Sequence, residues 1–258
     1  MKKIIVLALS LAGICAYAQP KGSISSDMLK EIESSYKGTS ADKAIRNALN
    51  TTSMAVLAEN AENAAMIDTN FSDRVRTEGI TDQKSSGRCW LFTGLNVLRA
   101  AAIDKYDLGD FQFSQAYCFF WDQLEKANLF LQAVIDTRDL PFESREVDWL
   151  FSNPISDGGT FTGVADLVTK YGLVPSNVMP ESYIANSTSA MATQLRTLLR
   201  KDGLELRGEL SGVKKKDVPA KLESMKVEML KDVYRVLALS FGVPPKEFEW
   251  NGKTYTPT

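Results

Sequence analysis

Gln83-Lys84-Ser85-Ser86-Gly87-Arg88-Cys89-Trp90 is a polar, turn-rich loop that runs straight into an apolar-periodic helix. Leu91, Phe92, Leu95, Leu98, Ala101 and Ala102 continue the helical stripe after it. Cys89 therefore falls in a helix's first turn, where unpaired backbone N–H groups and the macrodipole favour a thiolate. Gly87 lets the chain turn sharply and lets another backbone approach closely. Gln83, at the far end of the loop, can fold back to offer a side-chain amide beside the sulfur, with the Cys89 N–H as a second donor for a developing oxyanion. A lone cysteine at a helix start is also a common inert core residue, so the residues alone leave both readings open.

Outward from this loop the pattern is helical. Helices are expected over Ser26–Tyr36, after Ser40, over Ser114–Asp136, around Val164–Tyr171 with Gly172 as the stop, over Met191–Lys201, and from Asp217 to Gly242. Residues 50–80 are expected to wrap as an extended arm. Asp157-Gly158-Gly159 marks a loop. Few stretches alternate, so strand content should be low, and the apolar stripes read as core.

Of the 258 residues, 44% are hydrophobic and 24% charged, an ordinary globular balance. The net charge of −2 offers no electrostatic case for nucleic acid, and Lys214-Lys215-Lys216 reads as a solvated loop. Lys2 and Lys3, the apolar run Ile4–Ala16 and Ala16-Tyr17-Ala18 read as an export signal, with cleavage expected after Ala18. Cys15 raises a lipid-anchor alternative, which bulky Ile14 disfavours. No later stretch reaches membrane-spanning length. Cleavage leaves Cys89 and Cys118. The chain contains no histidine, so no Cys-His pair and no histidine metal site can be completed within it, and no CxxC offers zinc. No cofactor is expected.

Gln-(x5)-Cys-Trp with glycine two residues before the cysteine resembles the papain superfamily, matching Gly87, Cys89 and Trp90 of its C-G-[SA]-C-[WY] signature. Ser86, where papain has a disulfide cysteine, and Arg88 depart from papain. Both are similar to the bleomycin hydrolase and aminopeptidase C branch, whose usual form is close to NQKSSGRCWLF. FSQAYCFFWDQLEKANLFL (113–131), SDGGTFTGVADLVTKYGLVP (156–175) and YRVLALSFGVPPKEFEW (234–250) also resemble that branch, so the similarity covers roughly residues 40–258 in order.

The resemblance implies a papain-like α+β fold, of which this chain is mostly the helical half: signal peptide 1–18, helical arm 19–80, truncated peptidase domain 81–258. It implies Cys89 as nucleophile and Gln83 as oxyanion donor. Gly158 and Gly159, with Trp90, would form the surface for an extended peptide substrate. Cys118 reads as buried and inert. The implied activity is that of a cysteine-type aminopeptidase, with homo-oligomers as in the family's ring-like hexamers and with a C-terminal tail that blocks the cleft. The base of a thiol peptidase is a histidine oriented by an asparagine. In simple papain-like chains it lies about 130–150 residues after the cysteine, here about 219–239, where no histidine occurs. The expectation is an N-terminal part that is inactive alone, or a non-catalytic peptide-binding fragment that pairs with another chain. The family is typically intracellular, so an export signal, and with it a periplasmic or extracellular address, is a departure.

Overall fold

The computed structural model describes residues 22–208 and 210–258. The export signal expected over 1–18 lies outside them. The chain divides into two units, one ending at Ser72 and one starting at Asp73.

Among the described residues the first unit holds four helices: α1 (Ser26–Ser35), α2 (Ser40–Leu49), α3 (Met54–Leu57) and α4 (Ala61–Ala65). Each begins at a side-chain cap. Ser25 Oγ accepts the Met28 N–H at 3.2 Å. Thr39 and Asp42 form a reciprocal capping box, at 3.1 and 2.7 Å. The extended course expected for 50–80 is corrected by α3 and α4. Ser53 caps α3, and Asn60 Oδ1 takes the Glu62 and Asn63 N–H groups to start α4. No residue from 22 to 72 is buried.

The second unit contains α5 (Cys89–Tyr106), α6 (Gln115–Asp136), α7 (Arg145–Ser152), α8 (Phe161–Tyr171), α9 (Ser189–Arg207) and α10 (Val218–Phe241). A hairpin follows, β1 (Phe248–Trp250) antiparallel to β2 (Lys253–Tyr255), with Phe248 opposite Tyr255. Its turn uses Asn251 and Gly252, both at positive φ, as a tight two-residue hairpin requires. These are the only strands among the described residues, in keeping with the low strand content expected.

The organising element is α6. Ser114 accepts the Tyr117 N–H at 3.0 Å and starts it. Ala116, Phe119, Phe120, Ala127, Leu131 and Val134, at three- and four-residue spacing, are wholly buried. It packs against α5, α7, α8, α9 and α10. Opposite it lie Leu195, Leu199 and Leu206 of α9 and Val233, Leu237 and Phe241 of α10. Each fully buried large side chain contributes roughly 1.5–3 kcal/mol.

Two helices differ from expectation. α7 was not foreseen, and α9 runs past Lys201 to Arg207. Gly203 does not end α9, because a Cβ there would come within about 3.0 Å of the Phe151 ring and 3.2 Å of Phe130. Glycine serves helix packing at that point, and packing outweighs its poor propensity. The Lys215–Asp217 segment forms a 3₁₀ turn into α10, and Asp217 makes no side-chain capping bond.

One close approach positions the site. A Cβ on Gly94 of α5 would lie 2.7 Å from Val164 Cγ2 of α8. Glycine lets the two helices nearly touch, which brings the loop leading into α8 beside the start of α5.

Candidate active site

Cys89 is the first residue of α5, and its thiol is exposed. The Arg88 carbonyl accepts the Leu91 and Phe92 N–H groups, both at 3.0 Å, so the earlier N–H groups of the turn are left facing outward. Cys118 is the reverse case: on α6, 2% exposed, with burial first and Asp122 second pushing its thiol up to about 12. The two cysteines form no disulfide. Exposure separates a sulfur able to react from one that is not.

The loop before Cys89 is fixed from within and from outside. Asp82 accepts the Lys84 N–H at 2.8 Å, and Lys84 takes the left-handed conformation with φ 53°. The Gln83 amide donates to the Ser86 carbonyl at 2.6 Å, while Ser86 Oγ donates to the Gln83 carbonyl at 2.7 Å. Gln83 thus folds back over the loop, with one amide N–H spent on Ser86. From outside, the Ser85 N–H donates to the Asn186 carbonyl at 3.0 Å.

Arg88 anchors the turn. It is wholly buried, an unusual place for a guanidinium, and every nitrogen has a partner. Nη1 and Nη2 make a forked pair with Glu181 at 3.0 and 2.7 Å, and Nε donates to Ser86 Oγ at 2.9 Å. The Phe92 and Phe119 rings lie 5.0 and 5.5 Å from its charge centre. The side chain next to the nucleophile position is therefore locked into the core.

Gly158 and Gly159 stand across from it in the 156–160 loop. A Cβ on Gly158 would meet nothing within 4 Å, whereas one on Gly159 would lie 2.6 Å from the Trp90 ring. Trp90 is 8% exposed and its indole N–H donates to the Asp157 carbonyl at 2.8 Å, so its ring supports the loop from the core side. The Lys126 ammonium donates to the Gly158 carbonyl at 2.6 Å and the Ser156 carbonyl at 3.2 Å, pairs with Asp122 at 2.7 Å, and lies 5.3 Å from the Trp90 ring. Gln123 Nε2 adds a bond to the Ser156 carbonyl at 3.0 Å.

Asp157 joins loop and turn. Its Oδ2 accepts the Gly87 N–H and the Thr188 hydroxyl, both at 2.8 Å. Partial burial alone would raise this carboxyl, but the bonds from Thr188, Gly87 and its own backbone, with the Lys126 charge, hold it below the ordinary value. The structure thus brings Gln83, Cys89, Trp90, Gly158 and Gly159 into one neighbourhood. Asp157, Glu181, Thr188 and Lys126 were not foreseen as members of it. The one hint in the sequence was Arg88 directly before the apolar Cys89-Trp90-Leu91-Phe92 run, since a buried guanidinium demands a carboxylate somewhere.

A cleft of about 480 Å³ lies to one side, between α6 and α8, lined by Glu125, Lys126, Leu129, Asp166 and Tyr171. Cys89 does not line it. Among the described residues no cluster of histidine, cysteine or carboxylate groups could hold a metal, and no helix is long and apolar enough to cross a membrane.

A family model, Peptidase C1-like family, matches the sequence over residues 23–255. The chain belongs to the Peptidase C1-like family. Within that family it falls in the papain-like aminopeptidase C and bleomycin hydrolase branch. It is 37% identical over 227 residues to an aminopeptidase C of Lactobacillus delbrueckii subsp. lactis, covering 88% of this chain and 50% of the relative. It is 39% identical over 185 residues to the bleomycin hydrolase of Homo sapiens, covering 70% and 40%. The crystal structure of PepW from Lactobacillus rhamnosis HN001 superposes with a TM-score of 0.76 at 34% identity, covering 92% of this chain and 55% of that one. The chain spans about half the length of the curated relatives it matches. The papain-like fold inferred from sequence thus has a solved counterpart for these helices.

Proposed function

We propose that this chain carries the nucleophile side of a cysteine-type aminopeptidase, with Cys89 attacking the substrate carbonyl to form a thioacyl intermediate. The observation that carries this reading is the exposed thiol at the first position of α5, beside an open glycine loop. Gln83 and the Cys89 N–H are the proposed oxyanion donors; Gln83 keeps one N–H after its bond to Ser86. Gly158 and Gly159 offer main chain for strand-like pairing with an extended peptide, over a floor set by Trp90. No cofactor enters this chemistry.

A thiol peptidase needs a base, and the 258 residues contain no histidine. On this reading the histidine comes from outside these residues, on the same or a second polypeptide, and the 258 residues alone do not turn over. That same count favours a second reading, a non-catalytic module that holds extended peptides or pairs with a separately encoded half. The sequence of residues 1–18 supports export.

The test uses the purified chain with an aminoacyl-coumarin amide and with iodoacetamide. Expected are no hydrolysis and selective alkylation of Cys89 over Cys118, by at least about tenfold, since only the exposed sulfur is accessible. Hydrolysis lost in Cys89→Ala would refute the silence of this chain. Alkylation of Cys89 no faster than that of Cys118 would refute the nucleophile assignment. Hydrolysis restored by a histidine-bearing half would separate the first reading from the second.

A further inference from the structure

Loop and nucleophile turn meet at one residue, Asp157. Gly87 lies two residues before Cys89 and Trp90 one residue after it, and both bond to residue 157: Gly87 through the carboxylate at 2.8 Å, Trp90 through the carbonyl at 2.8 Å. The contact leaves no room for a side chain at position 87. A Cβ there would lie 2.5 Å from both Asp157 Cγ and Oδ1, so the carboxylate occupies the space a side chain would need. Thr188, 2% exposed and directly before α9, gives its hydroxyl to the same Oδ2 and makes no capping bond to its own helix. The three carbonyls from Ser156 to Gly158 are meanwhile held by Gln123, Trp90 and Lys126.

We propose that Asp157 is a positioning residue that clamps the polypeptide on both sides of Cys89 and makes the glycine loop and the nucleophile turn one rigid unit. The inference rests on the assignment of Cys89 as nucleophile. The clamp does by hydrogen bonds what a cross-link would do covalently. Its consequence is coupling. A peptide paired with the loop at Gly158 and Gly159 sits one residue from the carboxylate that orients the thiol's turn, so substrate position and sulfur position are referred to the same residue. Small misplacements of this kind carry large penalties in rate. Thr188 is the brace of the clamp, since its hydroxyl holds the same Oδ2 that receives the Gly87 N–H.

Amide hydrogen exchange across residues 83–92, measured on the whole chain and resolved by peptide mass spectrometry, tests this without needing turnover. Asp157→Ala frees the Gly87 N–H and the turn. The expected result is exchange across this segment quickened about three- to tenfold, because the loop and the helix start are no longer tied through the carboxylate. Asp157→Asn keeps an acceptor oxygen for Gly87 and should restore the rate to within about twofold. Thr188→Val, which removes only the brace, should give an intermediate rate and serves if Asp157→Ala fails to fold. Val147→Ala, a wholly buried position on α7, should lower the melting temperature and leave exchange across residues 83–92 unchanged. The clamp is overturned if Asp157→Ala and Thr188→Val leave that exchange where Val147→Ala leaves it. It is also overturned if Asp157→Asn fails to restore the rate while folding normally. Alkylation of wild-type Cys89 no faster than that of Cys118 would instead remove the nucleophile assignment, and that outcome is visible before any Asp157 variant is made.

Discussion

The helices of residues 22–72 and those from Asp73 onward obey the same local rules and reach different ends. α1 and α2 are capped and amphipathic, yet Met28, Leu29, Ile32, Ile45 and Leu49 are 41–57% exposed. α6 has no sharper pattern, yet Phe119, Phe120 and Leu131 are wholly buried. Local signals decide that a helix forms and where it starts. Only neighbours at the right distance convert its apolar face into stability.

Matched truncations in the two regions bear on this contrast most strongly. Phe119→Ala removes a wholly buried ring at the α6–α10 contact and withdraws a wall of the Arg88 pocket. The expected loss is about 3–5 kcal/mol in urea unfolding. Ile32→Ala, at a side chain 53% exposed, should cost less than about 0.5 kcal/mol. Comparable losses at the two positions would break the comparison.

A smaller effect concerns charge inside the second unit. Asp202 of α9 is 3% exposed and its Oδ2 has no partner. Burial first, then the Glu205 and Asp232 charges, against the opposing Lys201, raise its carboxyl to about 6. The folded protein therefore holds this proton where the unfolded chain, at the ordinary 3.8, has lost it. Stability should fall as pH rises from about 4 through 6, by up to roughly 3 kcal/mol. Asp202→Asn should flatten that slope, read as urea midpoints at pH 5 and pH 8. An unchanged slope would mean the group is solvated in the folded state.

The smallest expected effect returns to the arm. Thr39→Ala removes the capping box of α2, whose residues have no core to hold them. Amide exchange over Ser40–Leu49 should quicken about fivefold, the equivalent of one lost cap, while the urea midpoint of the second unit stays put. A shift in that midpoint would show that the helix stop and start signals of the arm matter beyond the arm.

Legibility followed the range of each interaction. α1, α2, α6, α8 and the end of α10 were readable because caps, glycine stops and three-four spacing act within a few residues. α7 was missed because its eight residues bury only Val147 and carry no side-chain cap. α9 runs beyond the expected Met191–Lys201, through Gly203, because the Phe130 and Phe151 rings that pack against that glycine come from distant segments. At the site, Cys89, Gln83 and the glycine pair were legible as motif. Asp157, Glu181 and Thr188 were not, since their partners lie 31 to 93 residues away.

The sequence by itself determined the helical character, the branch of the family, the helix start that bears the thiol and the want of any histidine. Those follow from residue identity and short spacing. Tertiary structure alone decided that Cys89 faces solvent while Cys118 is sealed, that Arg88 is buried against Glu181, and that one carboxylate grips the nucleophile turn from 70 residues away. Burial and charge pairing depend on which surfaces meet in space, and the chain specifies that only when all of its apolar faces are satisfied together.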